Sequence, residues 1–142
     1  MNGAIKEAER LSQTIPDSFV AGQFVNRANA EAHIKSTAPE IWEDTEGKVD
    51  VLVATVGTGG TITGCGEDLK SKKPAIKVIA VEPAESPLLS GGKAAAHGIQ
   101  GIGANFVPEL LNTQVYDEIL TVTTEESYAA AKMLGRTEGI MA

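Results

Sequence analysis

Five consecutive residues, Gly57-Thr58-Gly59-Gly60-Thr61, are the stretch of this sequence best suited to chemistry. Three glycines in four positions let a backbone adopt positive φ and approach a ligand with no Cβ in the way. The two threonines add hydroxyl donors. Such a loop can hold an anion when it opens a helix, because unpaired N–H groups converge there and the helix dipole adds partial positive charge. The spacing therefore points to a phosphate cradle. Two familiar loops fail against the letters. A dinucleotide fingerprint starting at Gly57 needs glycine where Ile62 stands. A P-loop starting at Gly59 reaches Gly64 in register, then meets Cys65 and Gly66 where Lys and Ser/Thr must follow. Glu82 stands near the position of a ribose-binding acid, about twenty residues after the glycines. A nucleotide thus stays open as an alternative at this point, as does a tight turn with no ligand.

Other reactive side chains offer less. Cys65 is the one cysteine, which excludes internal disulfides and Cys-based zinc sites. Its expected role is a small buried residue in the helix after the loop, with a reactive thiol as the minor reading. His33 lies among polar residues and reads as a surface histidine. His97 precedes a glycine-rich stretch and reads as a loop residue rather than a base. Trp42 is expected to pack against a sheet.

Elements that could position the loop follow from hydrophobic pattern. Val51, Leu52, Val53, Ala54 and Val56 form a nearly continuous β-prone run, which suits a strand buried on both faces of a parallel sheet. The residues after the loop, to about Lys70, predict a helix despite Gly64 and Gly66. Further strands are predicted at 76–81 and 118–122, and a short one at 19–24. Ile5, Ala8 and Leu11 recur at steps of three in a helix over 1–11, and short polar helices are predicted at 28–35 and 39–44. The Glu46-Gly47 pair turns the chain into the central strand. Residues 83–106 form a long loop rich in glycine, of the kind that is functional or disordered. Thr123-x-x-Glu126 is a capping box opening a helix with Tyr128, Ala131 and Leu134 on one face. Gly139 ends it, and Ile140-Met141-Ala142 reads as the start of a strand. Alternating strands and helices predict an α/β fold with a largely parallel sheet.

Composition sets outer bounds. With 142 residues, 42% of them hydrophobic and 22% charged, the chain is one modest domain or part of a larger one, and not disordered. Twelve basic against nineteen acidic residues give a net charge of −7. No basic face rises above Lys70-Ser71-Lys72-Lys73, so nucleic acid is a poor partner. No apolar stretch approaches the length of a membrane span, and no signal-peptide pattern opens the chain. A soluble cytoplasmic protein is the default expectation.

Longer runs carry a resemblance. Gln23-Phe24, Asn26-x-Ala28-Asn29 with His33, Pro39 through Thr45, Val56 through Gly64, Ala80 through Pro83, Ser86-Pro87 and Ile99 through Ala104 occur in the order seen in cysteine synthases (O-acetylserine sulfhydrylases). The chain resembles that family along nearly its whole length. The Gly-Thr-Gly-Gly-Thr loop alone marks the wider group of fold type II pyridoxal-phosphate enzymes; the 39–45 and 99–104 runs narrow it. The resemblance implies a tryptophan synthase β-like fold and pyridoxal 5′-phosphate as cofactor. It also implies β-replacement of the acetoxy group of O-acetyl-L-serine by sulfide to give L-cysteine. On this resemblance Gly57, Thr58, Gly59, Gly60 and Thr61 bind the cofactor phosphate, Gln23 helps bind the substrate carboxylate, and Gly101 lines the entrance. Glu82 becomes a strand-end residue.

The family's Schiff-base lysine, its Thr-Ser-Gly-Asn-Thr substrate loop and its Ser-Ser-Gly motif have no counterpart in these residues, so the chain resembles an internal fragment with no catalytic group. Residues 1–22 then correspond to the end of a smaller N-terminal domain and 23–142 to the middle of the larger cofactor-binding domain. Implied partners are a second copy as a homodimer and the C-terminal tail of serine acetyltransferase, with no nucleic acid, membrane or metal. Another fold type II enzyme such as cystathionine β-synthase, or a non-catalytic module binding that tail, are the alternatives. Two departures stand out: Arg27, expected only to loosen a turn where the family has proline, and Asn105 where it has glycine, tolerable at positive φ.

Overall fold

The computed structural model describes residues 1–141, with Asn2 through its backbone alone. Eight elements follow one another: α1 (Asn2–Thr14), α2 (Ala28–Lys35), α3 (Thr37–Asp44), β1 (Val51–Thr55), α4 (Gly60–Lys72), β2 (Lys77–Pro83), β3 (Glu118–Val122) and α5 (Thr124–Thr137). The strands form one parallel sheet in the order β1-β2-β3. This is the α/β arrangement with a parallel sheet flanked by helices.

The core lies between the sheet and α4. Ile62, Cys65 and Leu69 of α4 meet Val78 and Ala80 of β2, with Val56, Leu111 and Val115 closing the ends. Cys65 is fully buried, as its small apolar character requires. A second layer of helices lies over α4. Gly64 permits that layer: a Cβ there would stand 2.3 Å from the Ala30 carbonyl oxygen and 2.8 Å from the His33 Cβ, so α2 can approach only a bare backbone. Arg27, at the start of α2 with φ −58°, pairs its guanidinium with Glu67 of α4 at 2.5 Å. Instead of loosening a turn, Arg27 docks α2 on α4, and its φ is one proline would share.

Three sequence expectations change. The run over β1 suggested burial on both faces, yet Val53 is 58% exposed and Leu120 of β3 is 42% exposed. Register places Val51, Val53, Ile79, Val81 and Leu120 on that one face, and α4 packs on the other. No described element covers it. Residues 19–24 form no strand: Phe19 is 84% exposed and the segment turns at 22–25, because no neighbouring strand offers a ladder. Ile140 and Met141 likewise form no strand, and Ala142 lies outside the described residues. Trp42 packs on the core cluster from α3, over the turn at Gly47 and with the Lys72 ammonium 5.8 Å above its ring. That turn carries positive φ at Glu46 and Gly47.

Candidate functional site

The parallel strands carry the chain to one edge, and the glycine loop follows β1 there. Gly59 caps α4 with φ 84°, a left-handed conformation that residues with a Cβ resist. A Cβ on Gly59 would lie 2.9 Å from Leu111 Cβ and 3.1 Å from its Cα. The bare side of this glycine thus faces the 108–115 segment, not the ligand side. That segment is fixed to α4 in turn, because the Asn112 amide donates to Thr63 Oγ1 at 3.0 Å and its carboxamide to Glu67 at 2.9 Å.

What the loop turns outward is donors. Among the described residues, no protein acceptor pairs with the backbone N–H of Gly57, Thr58, Gly59 or Thr61, and Gly60 N–H has only a 3.3 Å contact to Thr58 Oγ1. Gly57 and Thr58 are half-buried and Gly59 is buried, so N–H groups left this way call for a partner. At the far end of α4, Lys70 and Lys72 complement the dipole. Converging N–H groups at a helix start, with no carboxylate among the loop residues, fit a phosphate group.

Beside the loop opens a cleft of about 350 Å³, lined by Gln23, Gly57, Thr58, His97 and Gly101. It brings Gly57 and Thr58 of the loop together with Gln23 and Gly101, the residues expected from the sequence to bind substrate and line the entrance. The 99–103 stretch lies close over β1's end: Gly103 N–H donates to the Val56 carbonyl at 3.0 Å, and the Gly101 carbonyl oxygen sits 2.4 Å from where a Gly57 Cβ would be. His97 holds this stretch, its Nε2–H donating to the Gly103 carbonyl at 3.0 Å, while its Nδ1 is buried without a protein partner. Tyr128 Oη and Thr124 Oγ1 fix Gly98 from α5, at 2.8 and 3.0 Å.

Thr61 is placed differently. Its hydroxyl meets His33 Nε2 at 3.2 Å, and His33 Nδ1 meets Thr37 Oγ1 at 2.9 Å. His33 is therefore a half-buried link between α2, α3 and α4 and not a free surface residue, since hydroxyls on both sides satisfy its ring nitrogens. Glu82 is also settled. It is 3% exposed, and its carboxylate accepts from the backbone N–H groups of Leu89 and Ser90 and from the Ser90 hydroxyl. A carboxylate buried to this degree and engaged by its own loop is not presented to a ribose. Asn105 does take positive φ, 64°, with Ser86 donating to its side chain at 3.0 Å. In the sequence Asn29 stands only as part of the Asn26-x-Ala28-Asn29 run, with no role attached; its side chain reaches the Gln23 backbone and Thr58, and only a partner 29 positions away reveals that link. Burial raises the Cys65 thiol's pKa, with Asp68 adding to the effect, which leaves it protonated and inert.

The chain is similar to known proteins along nearly its whole length. The profile of the family described as pyridoxal-phosphate dependent enzyme matches residues 1–142. Cysteine synthase B of Campylobacter jejuni is 48% identical over 141 residues, covering 99% of this chain and 47% of that protein. A probable cysteine synthase of Bacillus subtilis is 49% identical over 144 residues, covering 99% and 46%. The crystal structure of cysteine synthase from Entamoeba histolytica superposes with a TM-score of 0.93 at 47% identity, covering 99% of this chain and 41% of that one. The chain spans about half the length of the curated relatives it matches.

Proposed function

Because the chain belongs to the pyridoxal-phosphate dependent enzyme family, we propose that it forms the phosphate-anchoring part of a cytoplasmic cysteine synthase. The activity proposed for the whole protein is replacement of the acetoxy group of O-acetyl-L-serine by sulfide. The observation that carries the site is the set of unpaired N–H groups from Gly57 to Thr61 at the start of α4. Bound there, pyridoxal 5′-phosphate would supply the electron sink for β-replacement. The chain's own residues bind and orient. Backbone N–H groups hold the phosphate, the Thr58 hydroxyl adds a donor, and Gln23 meets the substrate carboxylate across the cleft. Gly101 lines the entrance. No lysine lines the cleft among the described residues.

Residues 1–22 are assigned to a smaller domain, which agrees with α1 bordering an open apolar groove and not joining the α4 core. The holoenzyme is proposed to be a homodimer whose cleft also receives the serine acetyltransferase tail. In the complete gene product, O-acetyl-L-serine and sulfide are expected to yield L-cysteine, while the 142-residue chain alone yields none. Formation of cystathionine from serine and homocysteine, with no cysteine from O-acetyl-L-serine, would overturn the assignment.

A further inference from the structure

Asn29 sits on α2 between the two functional arms of the cleft. Its carboxamide nitrogen donates one hydrogen to the backbone carbonyl of Gln23 at 3.0 Å and the other to Thr58 Oγ1 at 2.9 Å. A carbonyl oxygen accepts only, so the partners decide which end of the amide points inward: the nitrogen. The consequence for Thr58 follows. Its oxygen takes hydrogen bonds from Asn29 and, at 3.3 Å, from Gly60 N–H. With the oxygen occupied as acceptor, the hydroxyl's own hydrogen is left to donate, and Thr58 lines the cleft. Gly60 supplies the room: a Cβ there would stand 2.1 Å from Asn29 Oδ1. The second glycine of the Gly59-Gly60 pair is thus explained by Asn29 rather than by φ.

We propose that Asn29 is a positioning residue that ties the substrate-carboxylate arm at Gln23 to the phosphate loop at Thr58 and sets the Thr58 hydroxyl as a donor to the phosphate. This rests on the reading of Gly57–Thr61 as the phosphate site. One amide then keeps two binding elements in fixed register, so loss of it loosens both together. Asn29→Asp separates this role from packing, since it preserves shape but replaces two donors by acceptors and adds negative charge beside the loop.

The test uses the complete protein, with cofactor affinity read from visible absorbance and melting followed on the cofactor-free form. Asn29→Ala is expected to weaken pyridoxal 5′-phosphate about three- to ten-fold, the range for one neutral hydrogen bond lost from the cofactor's side of the network. Asn29→Asp is expected to weaken it more than Asn29→Ala, and both raise the KM for the amino-acid substrate more than they lower kcat. On a Thr58→Val background, Asn29→Ala should change cofactor affinity by less than about two-fold, because the shared hydroxyl is gone. Wild-type affinity in Asn29→Asp, full additivity with Thr58→Val, or a melting defect with unchanged affinity would each overturn the inference. Equal binding of pyridoxal and pyridoxal 5′-phosphate by the wild type would overturn the phosphate reading beneath it. Clear discrimination by the wild type, with unaffected Asn29 variants, would sink the Asn29 inference alone.

Discussion

Gly59 carries two independent demands, positive φ and a backbone pressed against Leu111, so a substitution there acts on the fold and the site at once. Gly59→Val is expected to lose about 1–3 kcal/mol of stability from the backbone alone, with the collision adding to it, and to abolish cofactor absorbance in the complete protein. Thr61→Ala removes one hydroxyl that meets His33 and should cost only about 0.5–1.5 kcal/mol. Denaturant titration of both variants checks the order; equal losses would mean that Leu111 and the left-handed turn do not constrain Gly59. The glycine loop was legible because its purpose is written in five adjacent letters. What the letters could not say was which side each bare backbone faces. Leu111 lies 52 positions from Gly59, Glu67 lies 40 from Arg27 and Thr61 lies 28 from His33, and local spacing holds no trace of such partners.

Helix α5 buries no residue completely and depends on its ends. Thr123 and Glu126 form the reciprocal capping box anticipated from the sequence, with Thr123 N–H donating to Glu126 at 2.9 Å and Glu126 N–H to Thr123 Oγ1 at 3.2 Å. The Glu85 carboxylate accepts from Thr124 N–H at 2.8 Å, which joins α5 to the turn after β2. At the other end of β3, Asp117 binds Lys70 at 2.7 Å and the Val78 N–H at 2.7 Å. The hydrogen bond from Thr123 N–H holds Glu126 below the usual carboxylate range, that from Thr124 N–H does so for Glu85, and the Lys70 ammonium does so for Asp117. A carboxylate depressed in the folded state contributes stability above its unfolded pKa and loses it as pH falls through the folded value. The melting temperature is therefore expected to hold from neutrality to about pH 5 and to fall below about pH 4. Glu126→Gln should melt lower at pH 7 and show a shallower acid decline. A parallel acid decline in that variant would remove Glu126 from the account. Element types here followed from periodicity and caps, as for α5 and β3. Residues 19–24 failed because a strand is a pairing, and apolar letters alone cannot supply the neighbour.

At the scale of the molecule, the sheet is covered on one side. Val51, Val53 and Leu120 stand exposed on the other, whereas parallel sheets are ordinarily covered on both. The continuous apolar run of β1 led to the expectation of burial on both faces, and among the described residues only one face is covered, because α4 packs on the other side of the sheet alone. The 142-residue chain by itself is expected to self-associate and to bind a hydrophobic dye, through that face and the free edge of β1. Light scattering during purification would show this; a monodisperse, cooperatively melting monomer would refute it. The central claim is that the backbone of 57–61 holds the cofactor's phosphate. Its most direct test is amide NMR of the complete protein, labelled at glycine and threonine and titrated with pyridoxal 5′-phosphate, inorganic phosphate or pyridoxal. The amides of Thr58, Gly59, Gly60 and Thr61 are expected to shift with both phosphate-bearing ligands and to stay in place with pyridoxal. Stationary loop amides under saturating pyridoxal 5′-phosphate would contradict the claim.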